Sequence, residues 1–365
     1  MSDEKPKFVP YGGLPETIQE MGNSGVAKCK LGFGQIMVLG FMASIYLTFA
    51  TTLAIVTSAT IESQSIQMLV RGVVFPIGLI AIVIGGAELY TGNAMVPPVA
   101  AMMRRTSWTS VMHNWVGSYT GNFIGGIFGA FLIITATGIL GHDGPFIEAV
   151  KKIAVKKTSL PFSEAFWRAL ACVWLVDLAV YLAGRTKEIG AKFFLIWFPT
   201  FTFFAIGFEH SIVNMFVIPA GILAGAPVTW GQFLLNNLTP VILGNTVAGL
   251  FCMGMLYWYS AGMPVEKPVL SRETGKGAEG AQVVIGDYSN LYRSIGIGVL
   301  CTIGFTVLLP GGAGILAYFL LEGAPEIKSV IPAAEGGFSI FGEPIIVIAY
   351  FVILSAVAAR IWRRT

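Results

Sequence analysis

Of the three histidines in this chain, only His210 falls at an interruption inside a long apolar stretch. An imidazole can donate, accept and change charge near neutral pH, and an ionisable group at membrane depth marks function unless helix-end carbonyls merely satisfy it. Glu209 adjoins it, and Glu88 occupies an equivalent setting earlier in the chain. A carboxylate at a helix break accepts backbone N–H bonds and holds the loop's shape, and that structural role is expected of both in preference to one in transport. Asn93, Asn122, Asn214 and Asn245 are expected to tie the broken backbone to neighbouring helices, with glycines beside them allowing close contact. Asp177, inside another apolar stretch, either pairs with a polar neighbour or reaches the cytoplasmic rim. Cys29, Cys172, Cys252 and Cys301 are scattered without metal-ligand spacing. No metal and no cofactor is expected, and no paired nucleophile and base suggests an enzyme.

These groups sit in a chain built for lipid. It is 55% hydrophobic and 12% charged over 365 residues, with a net charge of +3 too small and scattered for nucleic-acid binding. Eight apolar segments are read near 32–56, 66–104, 107–137, 162–184, 190–222, 230–260, 292–321 and 344–362. The second breaks at Gly85-Gly86 and Gly92, and the fifth at Gly207 and Glu209-His210. Irregular backbone at membrane depth survives only in protein or beside a cavity, so the breaks are the expected site. The seventh contains Pro310-Gly311-Gly312, a potential kink.

The expected organisation is an N-terminal cytoplasmic or interfacial segment 1–31, a pore domain 32–260, a cytoplasmic linker 261–291 and an added transmembrane hairpin 292–365. Within 1–31, Pro15 to Lys28 reads as an interfacial helix. No apolar h-region precedes residue 32, so the first span is expected to target the chain. Basic residues place both termini in the cytoplasm: Lys5, Lys7, Lys28 and Lys30 at one end, Arg360, Arg363 and Arg364 at the other, with Arg104, Arg105, Arg185, Lys187 and Lys192 in loops between. Lys151, Lys152, Lys156 and Lys157 then fall outside, as a basic vestibule or as a solvated run beside Glu148 and Glu164.

The chain also repeats itself. Gly86-x-Glu88-x4-Asn93 recurs as Gly207-x-Glu209-x4-Asn214, 121 residues on (214 − 93). Asn114-x6-Gly121-Asn122-x3-Gly126 recurs as Asn237-x6-Gly244-Asn245-x3-Gly249, 123 residues on (245 − 122). The repeats run over about 32–137 and 162–260, with three spans each and the middle one broken. An odd number of spans inverts the second copy, which places a site between the repeats at the midplane. Half-helices starting near Thr91 and Ser211 would aim free N–H groups at a passing anion.

Gly86-Ala87-Glu88-Leu89-Tyr90-Thr91-Gly92-Asn93, Gly207-Phe208-Glu209-His210-Ser211-Ile212-Val213-Asn214-Met215 and Leu243-Gly244-Asn245 resemble the formate–nitrite transporter family over roughly 15–262. The resemblance implies an all-α integral membrane protein with an aquaporin-like inverted 3+3 repeat, assembled as a homopentamer in a bacterial-type inner membrane. It implies transport of small monovalent anions, with protons, through a pore in each subunit. His210 would be the pore histidine and Thr91 its partner. Phe75, Leu79 and Phe203 would form one apolar constriction, Leu89 and Tyr90 the other, and Lys157 would be the vestibule lysine. Val173 stands where the family often has Asn, and Asp177 where Cys is common. The stretches Glu88–Met95 and Tyr257–Pro264 incline toward the nitrite-type branch. A neutral-solute pore is the alternative, although no Asn-Pro-Ala pair marks the breaks.

Overall fold

The computed structural model describes residues 12–268, 281–284 and 288–306. Six helical stretches among them are long and apolar enough to cross a membrane: Phe33–Ser58, Gln64–Gly85, Trp108–Ala136, Phe162–Gly184, Ile189–Ile206 and Trp230–Ser260. They match the first six expected segments. The seventh is described as helix only to Thr306. The eighth segment, the Pro310 kink, Lys5, Lys7 and the C-terminal arginines lie outside the described residues.

In chain order the helices are α1 (Leu14–Lys30), α2 (Phe33–Ser58), α3 (Gln64–Val74), α4 (Ile77–Gly85), α5 (Tyr90–Asn93), α6 (Val96–Met102), α7 (Trp108–Ala130), α8 (Pro145–Thr158), α9 (Phe162–Gly184), α10 (Ile189–Ile206), α11 (Ser211–Leu223), α12 (Trp230–Gln232), α13 (Thr239–Val247), α14 (Leu256–Ser260) and α15 (Tyr288–Thr306). Three π-helical segments, Phe131–Ala136, Phe233–Leu238 and Ala248–Met255, continue or join the long spans. Two short strands, β1 (Val265–Pro268) and β2 (Ala281–Val284), pair antiparallel with Val265 opposite Val284, inside the stretch read as a linker.

The breaks expected at Gly86 and Gly207 occur, and for one physical reason, whereas Gly92, also expected to interrupt, lies inside α5. Gly86 (φ 77°) and Gly207 (φ 83°) end α4 and α10 in the left-handed region that glycine enters without cost. Ala87 N–H then returns to Ile82 O, and Phe208 N–H to Phe203 O, so each chain leaves its helix by the same turn. A short extended stretch follows before α5 and α11 begin.

The region between the third and fourth spans holds a helix that the sequence reading treated as loop. In α8 the buried residues are Ile147, Val150, Ala154 and Thr158, a stripe at helical spacing. The buried stripe of α1 is Thr17, Ile18, Met21, Gly22 and Gly25. Helix α1 packs on α6, and α8 packs on α11. The internal likeness therefore begins one helix before each of the expected repeat starts.

Candidate functional site

Each break is fastened by the same set of bonds. In the first, Asn122 Nδ2 donates to Glu88 O (3.0 Å) and Gly40 O (2.7 Å), and its Oδ1 accepts from Tyr90 N–H (2.9 Å). In the second, Asn245 Nδ2 donates to Glu209 O (3.2 Å) and Ala169 O (2.9 Å), and its Oδ1 accepts from Ser211 N–H (2.9 Å). One amide thus satisfies both polarities of a backbone that has left its helix, which lipid would not do.

The carboxylates are matched too. Glu88 accepts from Asn93 Nδ2 (2.7 Å) and Lys28 Nζ (2.7 Å). Glu209 accepts from Asn214 Nδ2 (2.7 Å), Lys157 Nζ (2.9 Å) and Asn237 Nδ2 (3.3 Å). Asn114 Nδ2 reaches Lys28 O (3.3 Å) as Asn237 Nδ2 reaches Lys157 O (2.9 Å). The donors to both carboxylates are side-chain amides and a lysine, where backbone N–H groups had been expected, so each glutamate ties its loop to neighbouring side chains and holds a lysine in place. The sequence reading singled out Lys157 but missed Lys28. The two lysines stand 129 apart (157 − 28), so an offset of 121–123 does not align them.

The half-helices are seated across the repeats. A Cβ added at Gly126 would lie 2.7 Å from Met215 O on α11, and one at Gly249 would lie 2.7 Å from Ala94 Cβ, just after α5. Each glycine of one half therefore admits the half-helix of the other. Where α5 and α11 meet, Thr91 Oγ1 lies 3.2 Å from His210 Nε2. His210 is also the N-cap of α11, its Nδ1 accepting from Val213 N–H at 3.2 Å. With Nδ1 committed as acceptor, a neutral ring carries its hydrogen on Nε2. His210 then presents a donor toward the centre.

Two separate cavities reach residues beside this contact. One, of about 410 Å³, is lined by Lys28, Leu79, Glu88, Leu89, Lys187 and Lys192 among others. The second, of about 140 Å³, is lined by Arg71, Lys156, Lys157, Arg168, Phe203, Glu209 and His210 among others. They share no lining residue. Between them Phe75, Leu79, Leu89, Thr91, Phe203 and His210 are all at most 4% exposed. Phe75 stacks on Phe204 (3.7 Å) and meets Phe203 edge-on (5.8 Å), and Phe203 lies over the His210 ring (5.9 Å). These buried, mostly apolar side chains pack between the residues that line the two cavities.

Both mouths are positive. The second cavity has four basic side chains, Arg71, Lys156, Lys157 and Arg168, against Glu209. The first has Lys28, Lys187 and Lys192 against Glu20 and Glu88. Such mouths concentrate anions by their field. The two readings of the 151–157 run each describe part of it: Lys151 pairs with exposed Glu148 (2.9 Å), whereas Lys156 and Lys157 face the cavity.

His210, Phe203 and Lys157 line the second cavity and Leu79 and Leu89 the first, while Phe75 and Thr91 line neither but touch Phe203 and His210 respectively. Tyr90 also lines neither cavity; its hydroxyl meets Thr246 Oγ1 (2.6 Å) and its ring packs against Trp115 and Tyr119. Val173 is buried and lines neither cavity. Asp177 is fully buried beside Gly249, and neither of its oxygens has a hydrogen-bond partner among the described residues. Neither the neighbour nor the rim expected for it is found there. No cluster of metal-ligating side chains occurs among the described residues.

A model of the family described as "Formate/nitrite transporter" matches residues 15–259. A "Probable formate transporter" of Methanothermobacter thermautotrophicus is 45% identical over 250 residues, covering 64% of this chain and 91% of that protein. Among solved structures, an "FNT family ion channel" superposes with a TM-score of 0.63 at 29% identity, covering 67% of this chain and 98% of that one. A "Pentameric formate channel with formate bound" gives a TM-score of 0.56 at 28% identity, covering 62% and 97%.

Proposed function

The chain belongs to the formate/nitrite transporter family, and from that premise we propose that each subunit carries small monovalent anions, formate and nitrite foremost, through the path between its two cavities, with His210 as the central donor. The family is one of multi-pass membrane transporters and channels rather than enzymes. The observation that carries the reading is the Thr91–His210 contact, set inside an apolar seal with a lysine-bearing mouth at either end.

The lysines draw an anion into a mouth, and the aromatic and aliphatic seal opposes a bare charge, because an unpaired ion loses its hydration there. Nε2–H of His210 supplies a hydrogen bond at the narrowest point, and a proton taken up with the anion lets it cross as the neutral acid. Transfer from His210 itself would require Nδ1 to release Val213 N–H and take up a hydrogen, so the imidazole is better suited to donating a bond than to giving up its proton. Formate is supported by the names of the relatives, and nitrite by the stretches Glu88–Met95 and Tyr257–Pro264. We read the two halves as inverted and aquaporin-like, the assembly as a homopentamer, and both termini as cytoplasmic in an inner membrane, the first supported by the matched bonding and the second by the pentameric neighbour.

Stopped-flow entry of nitrite, formate and bicarbonate into proteoliposomes, followed at several pH values beside His210→Asn, tests this. Fast formate or nitrite flux that rises as pH falls and collapses in the variant is expected. Flux of none of these ions, with water or glycerol passing instead, would refute it and leave a neutral-solute pore.

A further inference from the structure

Helix α15 lies beyond the region that the family model matches. Its inner face nonetheless reaches the machinery of the first break. Phe305, 1% exposed, stacks on the Tyr90 ring at 4.9 Å and 15°, and meets Trp115 at 5.6 Å and Tyr119 at 5.4 Å edge-on. We propose that Phe305 is a positioning residue for the pore: it closes an aromatic box around Tyr90 and so fixes the half-helix that carries Thr91, which sets how large an anion the constriction admits. This rests on the transport reading above.

The chain of contacts is short. Tyr90 opens α5, held by Asn122 through its N–H and by Thr246 through its hydroxyl. Asn93 closes α5, and its carbonyl accepts from Trp115 Nε1 (2.8 Å). Phe305 therefore touches the two aromatic residues that pin the two ends of a four-residue helix. Thr91 lies between those ends and faces His210. Such a short helix has no internal ladder to hold its shape, so its position depends on these outside contacts.

The near end of α15 is anchored as well. Asn290 Nδ2 donates to Met102 O (2.6 Å) at the end of α6, and Arg104 Nε donates to Asn290 Oδ1 (3.2 Å). At mid-helix, Gly298 lets α15 approach Leu250 and Phe251. A helix serving only as a lipid-facing collar has no use for an aromatic residue directed at Tyr90. The outward face of α15, with Tyr292 73% and Leu300 71% exposed, supplies the control.

The test measures the permeability ratio of formate to acetate in proteoliposomes for the full-length protein, Phe305→Ala, Phe305→Leu and Leu300→Ala, each first checked for assembly by size exclusion. Phe305→Ala is expected to shift the ratio toward acetate by roughly tenfold, the size of losing two or three aromatic pairs. Phe305→Leu should give a smaller shift, and Leu300→Ala none. In a Tyr90→Ala background the Phe305→Ala effect should largely vanish, because both act through one contact. An unchanged ratio in Phe305→Ala, an equal shift in Leu300→Ala, or full additivity with Tyr90→Ala overturns the proposal. Should Phe305→Ala not assemble, Phe305→Leu decides, and a wild-type ratio there sinks it. Full-length protein that moves neither anion refutes the transport reading first, and this inference with it.

Discussion

Removing Lys157 should damage the protein more than neutralising the glutamate it holds. Lys157 Nζ is the partner of Glu209 Oε1 at 2.9 Å, while Oε2 keeps Asn214 and Asn237. The Glu209 side chain is 3% exposed and that of Lys157 is 16% exposed. An exposed pair contributes about 0–1 kcal/mol, and breaking a buried one costs about 3–5 kcal/mol. The carboxylate is buried and the ammonium opens on a cavity, so Lys157→Met should cost about 2–3 kcal/mol. At ~2–4 °C per kcal/mol for a domain of this size, the midpoint falls by roughly 5–10 °C. Glu209→Gln leaves a lysine that can turn toward water in the cavity, and should cost about 1 kcal/mol or less. The double variant should recover most of the loss, because no buried charge is stranded. Thermal challenge of detergent-solubilised protein, followed by size exclusion, reads all three midpoints. A Lys157→Met midpoint within a degree of wild type, or a double variant equal to the sum of the singles, would refute the reasoning.

Gly249→Ala should drive a Cβ into Ala94 and shift α5, costing about 1–3 kcal/mol and slowing formate flux; wild-type midpoint and flux would contradict the close seating. Asp177→Cys replaces an unpartnered buried carboxyl with a small side chain of similar volume, and should raise the midpoint, by about 1–3 kcal/mol of stability, with flux unchanged; a fall in stability would reveal a partner for the acid. Burial, with a smaller push from the Glu88 charge, raises the Cys29 thiol from 9.0 to about 11, so less of it is thiolate at any pH below that. Its maleimide labelling at neutral pH should run roughly a hundredfold slower than that of a free thiol, and rise with pH up to about 11; labelling at the free-thiol rate would contradict the burial.

Much of the site was legible because its parts are written twice. Gly-x-Glu-x4-Asn and Asn-x6-Gly-Asn-x3-Gly name the turn, the carboxylate, its amide partner and the amide that spans the break, and the structure joins those residues to one another. What stayed hidden lies in the pieces where the spacing slips. Lys28 escaped because its helix stands at a different offset, and α8 was read as loop because its lysines masked the stripe Ile147, Val150, Ala154, Thr158. The family resemblance pairs Tyr90 with Leu89 at a constriction, but the sequence does not show which way its ring turns. In a four-residue helix successive side chains point apart, and only the aromatic neighbours, distant in sequence, decide which way a ring turns. The aim of Phe305 was unreadable for the same reason.

The framework at the two breaks is duplicated, but the side chains it presents are not. Position for position, Ala87 stands against Phe208, Leu89 against His210 and Tyr90 against Ser211, while Gly86, Glu88 and Asn93 are matched by Gly207, Glu209 and Asn214. Were the halves inverted copies, as proposed above, their matched residues alone would give a traveller the same energy profile from either side. Asymmetry would then come from the unmatched side chains, one imidazole facing a leucine's place among them, and from what differs between the halves, the two mouths and α15. Under that reading, exchanging residues between the two breaks would alter the asymmetry without rebuilding the helices that carry them.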